Sequence, residues 1–125
     1  MGQNNPTVVF LEPRRVTIEN RPVPSPGDNG LLVQTTRTLI STGTELTILN
    51  GEFPKDSAWA QYGKFPFVPG YDNIGIVVDV GKNVDKGWIG RKVGSYASHS
   101  AYVVISPDHA RIVPDQASDD GASFF

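Results

Sequence analysis

A chain of 125 residues suffices for one core and one domain, and 13 glycines with 10 prolines favour short strands and turns over long helices. A formal charge of −2, with basic residues no more than two in a row, excludes nucleic acid as the main partner, because phosphate binding needs a basic face. The chain has no cysteine, so disulfides, thiolate metal sites and cysteine nucleophiles are excluded. No stretch approaches the roughly 18 apolar residues of a membrane helix. The polar start, Met1 to Pro6, resembles neither a signal nor a transit peptide. The expectation is a cytoplasmic protein with no membrane partner.

In chain order, Thr7 to Leu11 reads as a strand that Pro13 interrupts. Arg15 to Glu19 resumes it, with Val16 and Ile18 on one face. Pro22, Pro24, Pro26 and the run from Gly27 to Gly30 form a loop. Gly30 to Ile40 is a long strand whose threonines suit a half-buried pleated surface. Thr42 and Glu45 stand at capping-box spacing and predict a short helix. Leu46 and Leu49 lie three apart on it, and Gly51 is its stop. Glu52 to Pro69 is a long irregular loop carrying Phe53, Trp59, Tyr62, Phe65 and Phe67. A loop of that length is usually functional or mobile. Phe67 is expected to cover the barrel end, and Trp59 and Tyr62 to line or cap a pocket.

Pro66 to Gly81 is the most informative segment. Gly70, Gly75 and Gly81 frame the pair Tyr71–Asp72 and a strand of Ile74, Ile76, Val77, Val78 and Val80. A glycine inside a strand marks a bulge or a close approach to the main chain. Gly81 to Gly90 is a turn region. Strands follow at Arg91 to Tyr96, Ser100 to Ile105 and Arg111 to Val113. Ser118 is placed to cap a helix, with Asp119 and Asp120 complementing its dipole. The Phe124–Phe125 end has no partner element and reads as a truncation. Many short strands with turn signals give a mainly β barrel or sandwich. His99 reads as a structural histidine on an alternating strand, and His109 as an exposed turn residue. Ser95, Ser98 and Ser100 lack the His–Asp partners of a hydrolase triad.

Pro66, Gly70, Gly75, Val77 and Gly81 keep the spacing P-x-x-x-G-H-E-x-x-G-x-V-x-x-x-G, with Tyr71 and Asp72 replacing its His-Glu pair. Thr42-Gly43-Thr44-Glu45 stands where the same pattern has Cys-Gly-x-Asp, and Gly90-Arg91-Lys92-Val93 where it has Gly-Asp-Arg-Val. His99 to Val104 resembles its His-Ala-Glu-Tyr-Val strand. On these residues nearly the whole chain resembles the N-terminal, GroES-like catalytic domain of the medium-chain dehydrogenase/reductase superfamily. Ile40 to Glu45 together with Val68 to Asp72 resembles more narrowly the bacteriochlorophyllide dehydrogenase-type subgroup.

The resemblance implies a GroES-like, partly open β-barrel with one or two short helices over residues 1–117. It implies that residues 118–125 open the helix leading to an absent Rossmann domain. That domain would bind most of the NAD(P)(H), since no G-x-G-x-x-G follows a strand here. The implied partners are a small-molecule substrate, the Rossmann domain and a second copy in a homo-oligomer. Catalytic zinc needs three protein ligands, yet the Cys position is Thr42 and the His position is Tyr71, leaving Asp72 alone. No metal is expected. A carbonyl would then be polarised by hydrogen bonds, with Tyr71 donating and Asp72 orienting it. The alternative for this pair is a ring in the cleft wall and an Asp–Arg contact. Thr42, Thr44 and Glu45 border the cleft, where the threonines can reach substrate or the nicotinamide ribose; capping explains Thr42 equally well. The expected function is the substrate-binding half of a zinc-independent NAD(P)(H)-dependent oxidoreductase, acting on a carbonyl, alcohol or activated double bond and inactive alone. The rival expectation is a free-standing GroES-like binding or assembly module. A zinc enzyme with displaced ligands is the third.

Overall fold

Strand β3 (Leu31–Thr38) organises the chain, because it pairs on both sides. The computed structural model describes residues 4–51, 64–114 and 116–122. β1 (Asn5–Glu12) and β2 (Arg15–Arg21) form an antiparallel hairpin. Its turn is made by Pro13 and Arg14, and Arg14 takes a positive φ of 62°. β4 (Asn73–Val80), β5 (Lys92–Ser95), β6 (Tyr102–Ile105) and β7 (Arg111–Ile112) complete a second sheet of order β6-β3-β4-β5-β7. Every pairing in it is antiparallel. The molecule is thus mainly β, two sheets wrapped into a partly open barrel.

The first three residues of β3, Leu31, Leu32 and Val33, are all buried. Leu31 and Val33 meet Val77, Val93 and Val103 in one cluster. Each such side chain contributes on the order of 2 kcal/mol by leaving water. Gly75 sits where β3 and β4 pack hardest, since a Cβ there would lie 2.5 Å from the Gln34 carbonyl oxygen. The β3–β4 register slips on both sides of this contact, as an in-strand glycine leads one to expect.

The two sheets meet along β1. Phe10 and Phe67 exchange backbone hydrogen bonds of 2.8 Å, with ring centroids 6.3 Å apart. Phe67 thus lies half-buried at the seam between the sheets. Val8 N–H donates to the His99 carbonyl at 3.0 Å, which ties β1 to the loop between β5 and β6.

Helix α1 (Thr42–Asn50) follows β3 and ends at Gly51 in the left-handed region. Its start corrects the sequence reading by one residue. Ser41 is the N-cap and Thr42 the first helical residue. Glu45 still reaches back, but to the Ser41 N–H. Two adjacent residues of good capping type make the slip understandable. The inward face of α1 is Glu45 and Ile48, whereas Leu46 is half exposed.

At the other end, α2 (Asp119–Ala122) is capped by Ser118, whose Oγ accepts from Gly121 N–H at 2.9 Å. Lys92 of β5 lies 2.6 Å from Asp119 and also donates to the Ala117 carbonyl at 3.2 Å. Lys92, and behind it Thr36, hold the Asp119 carboxyl below the ordinary value of 3.8. A depressed folded-state pKa stabilises the fold above the unfolded value and is lost as pH falls through it. Stability should therefore drop below about pH 4. Lys92→Met should flatten that acid limb and cost about 1 kcal/mol near neutrality, measured by urea denaturation. An unchanged acid limb would remove this pair from the account.

Candidate functional site

Gly70 places the site. Its φ is 114°, and a Cβ on it would lie 2.6 Å from the His99 backbone nitrogen and 2.9 Å from Ser98. Only glycine lets the Pro69–Gly70 turn pass so close. The contact is sealed by His99 N–H donating to the Pro69 carbonyl at 3.1 Å. Asn73, at the head of β4, adds a second tie: its Nδ2 donates to Thr35 Oγ1 at 2.9 Å and to the Ser98 carbonyl at 3.0 Å. Tyr71 and Asp72 are carried between these two anchors.

On the far side of the same loop lies Glu45. Its side chain is 5% exposed and that of His99 is 8% exposed, and Glu45 Oε1 lies 2.6 Å from His99 Nε2. With Oε2 accepting from Ser41 N–H, both carboxylate oxygens of Glu45 are engaged. An ionised Glu45 only accepts, which puts the proton on Nε2. Among the described residues, His99 Nδ1 is then buried without a hydrogen-bond partner, as is Asp72 Oδ1. Burial pushes the Asp72 carboxyl above its ordinary 3.8, and His99 opposes that shift.

The structure pairs Glu45 with His99, which acts electrostatically on Asp72. It does not join Tyr71 to Asp72, for Tyr71 is 37% exposed and makes no hydrogen bond to another described residue. Thr42 is exposed at the start of α1, and Thr44 is half-buried. Trp59 and Tyr62 lie outside the described residues. His99 is the residue that sequence reasoning set aside. It sits on the loop before β6 rather than on a strand, and it lies 54 positions from Glu45, so no local signal links the two.

Two cavities flank His99, of about 290 Å³ and about 300 Å³. Val8, Thr38 and His99 line both. Among the described residues, no group of three His, Cys, Asp or Glu side chains converges as a metal-ligand set. No helix among them is long and apolar enough to cross a membrane.

Residues 27–113 match the alcohol dehydrogenase GroES-like domain. An alcohol dehydrogenase of Cupriavidus necator is 34% identical over 76 residues, covering 61% of this chain and 18% of that protein. A short chain alcohol dehydrogenase of E. coli CFT073, solved with its cofactor NADH, superposes with a TM-score of 0.82 at 19% identity, over 98% of this chain and 42% of the other. The quinone oxidoreductase of Coxiella burnetii gives 0.77 at 22% identity, over 98% and 41%. At such identities the solved structures speak for the fold. The chain spans about a fifth of the curated relative and about two fifths of these structures. With the motif glycines Gly70, Gly75 and Gly81, the two-sheet barrel and a domain match over most of the sequence all in agreement, this chain belongs to the alcohol dehydrogenase GroES-like domain family.

Proposed function

We propose that this chain is the substrate-binding domain of an NAD(P)(H)-dependent oxidoreductase that works without zinc. The observation that carries the reading is the cluster on the Gly70 turn: a half-buried Asp72, its carboxyl pKa raised by burial, near a buried Glu45–His99 pair, in the segment that matches the family. Metal does not fit this cluster, since its three ionisable groups do not converge as ligands. A nicotinamide fits only as a neighbour. Thr42 and Thr44 offer hydroxyls at the start of α1, but the chain has no glycine-rich turn to cradle a pyrophosphate. We place that turn in a Rossmann domain entered through α2, with residues 1–117 as the substrate domain.

The cofactor, when bound, supplies or accepts the hydride. The rest falls to this chain. Tyr71 is exposed enough for its O–H to donate to a substrate oxygen, stabilising the charge that develops there. Asp72, whose carboxyl pKa burial raises and His99 lowers, is the group placed to exchange a proton with that oxygen. Glu45 fixes the orientation of the His99 ring through its contact at Nε2.

The test uses the protein expressed from its complete reading frame, titrated with NADH and NADPH by fluorescence. Saturable binding of at least one supports the reading, and binding of neither overturns it in favour of a free-standing binding module. In the same protein Tyr71→Phe should lower turnover at least tenfold, a typical loss for one transition-state donor, without shifting the melting temperature. Unchanged turnover would leave Tyr71 as a wall residue.

A further inference from the structure

We propose that the face of the β1–β2 hairpin turned toward α1 is a binding trough for an elongated amphiphile, an apolar body carrying one oxygen-bearing head group. The register makes this face continuous. Val8 pairs with Ile18 and Phe10 with Val16, so four apolar side chains form two adjacent cross-strand pairs. Val8, Phe10 and Val16 line the first cavity with Leu46 and Leu49 of α1. Val8 and Ile18 line the second, which runs on past the shared residues Thr38 and His99.

The cavities differ in character along this line. The first is walled almost wholly by hydrocarbon. The second adds the hydroxyl residues Thr35 and Ser100. An occupant therefore puts its tail beside Leu46 and Leu49, and its oxygen near Thr38, Thr35 and the His99 ring. Thr35 Oγ1 already accepts from Asn73 Nδ2, which leaves its own hydroxyl proton to donate. The exposure of the rim fits a ligand site. Val16 is 51% exposed, Ile18 67% and Leu46 48%, a run of large apolar groups left to water around a concave surface. Each cavity alone is near the lower limit for a small-molecule pocket, and the two together lie well within that range. The assignment rests on the proposed function only in taking the occupant as substrate. Binding itself needs no cofactor.

The probes are primary alkanols from pentanol to nonanol, followed by methyl NMR of the protein without cofactor. Methyl signals of Val8, Val16, Ile18, Leu46 and Leu49 should shift saturably. Affinity should rise about fourfold per added methylene, the factor equivalent to about 0.8 kcal/mol. Val16→Thr with Ile18→Thr keeps β-branched residues at exposed strand positions, so the hairpin should persist while nonanol binding weakens at least tenfold. An alkanol should also bind more tightly than the 1-chloroalkane of equal length, because only the alkanol can exchange hydrogen bonds with Thr38 and Thr35. Three results would each overturn the proposal: no saturable shift, shifts that follow protein concentration rather than probe, or affinity independent of chain length. Dinucleotide binding with no alkanol binding would refute the trough and leave the proposed function standing, and the reverse result would do the opposite.

Discussion

Gly70→Ala is expected to cost the domain on the order of 3 kcal/mol, the sum of a positive-φ penalty and a backbone collision. The added methyl would meet main-chain atoms of Ser98 and His99 at 2.6 to 2.9 Å. These are not flexible side-chain tips, so the turn or the β5–β6 loop must move. Movement would stretch the His99 N–H bond to Pro69 and loosen Tyr71 and Asp72 with it. Against a total stability of roughly 5–15 kcal/mol the loss is large. Urea denaturation should show a lower midpoint at constant slope, as a change of stability alone requires. A midpoint within experimental error of wild type would mean that the loop yields freely and that Gly70 does not position the site.

The second large effect belongs to the Glu45–His99 pair. His99→Leu removes one of the two groups engaging a carboxylate that is only 4% exposed as a residue. Leaving such a group half-satisfied costs about 3 kcal/mol. The double replacement Glu45→Leu with His99→Leu should cost less than the sum of the two single changes, because no buried carboxylate is then stranded, although the Ser41 N–H loses its acceptor. A double-mutant cycle by chemical denaturation measures this coupling, expected at 1–3 kcal/mol. Additivity of the two single changes would show that the 2.6 Å contact carries no energy of its own.

How much of this was legible in the sequence follows from the range of each interaction. Elements set by local chemistry were readable: the Pro13 break between β1 and β2, the Gly51 helix stop and the Ser118 cap. The close packing at Gly75 was readable too, because an in-strand glycine points to it. The Ser41 cap was missed by one position, since Ser41 and Thr42 are chemically interchangeable in that role. Glu45–His99 was not readable. It joins a helix to a loop through the sheet order β6-β3-β4-β5-β7, which no periodicity encodes. The pattern also placed Val16 and Ile18 on one side of β2, but alternation alone does not say that this side stays half exposed.

The hairpin has one further consequence. Among the described residues β2 pairs with β1 alone, so its outer rim offers a template on which another copy's strand could be laid. Charges stand along that strand at Arg15, Glu19 and Arg21, and two of them pair at 2.9 Å as Arg21 with Glu19. A neighbouring molecule would have to strip water from these groups before zipping on. The rim thus guards against filament growth in a protein that leaves Ile18 uncovered beside it.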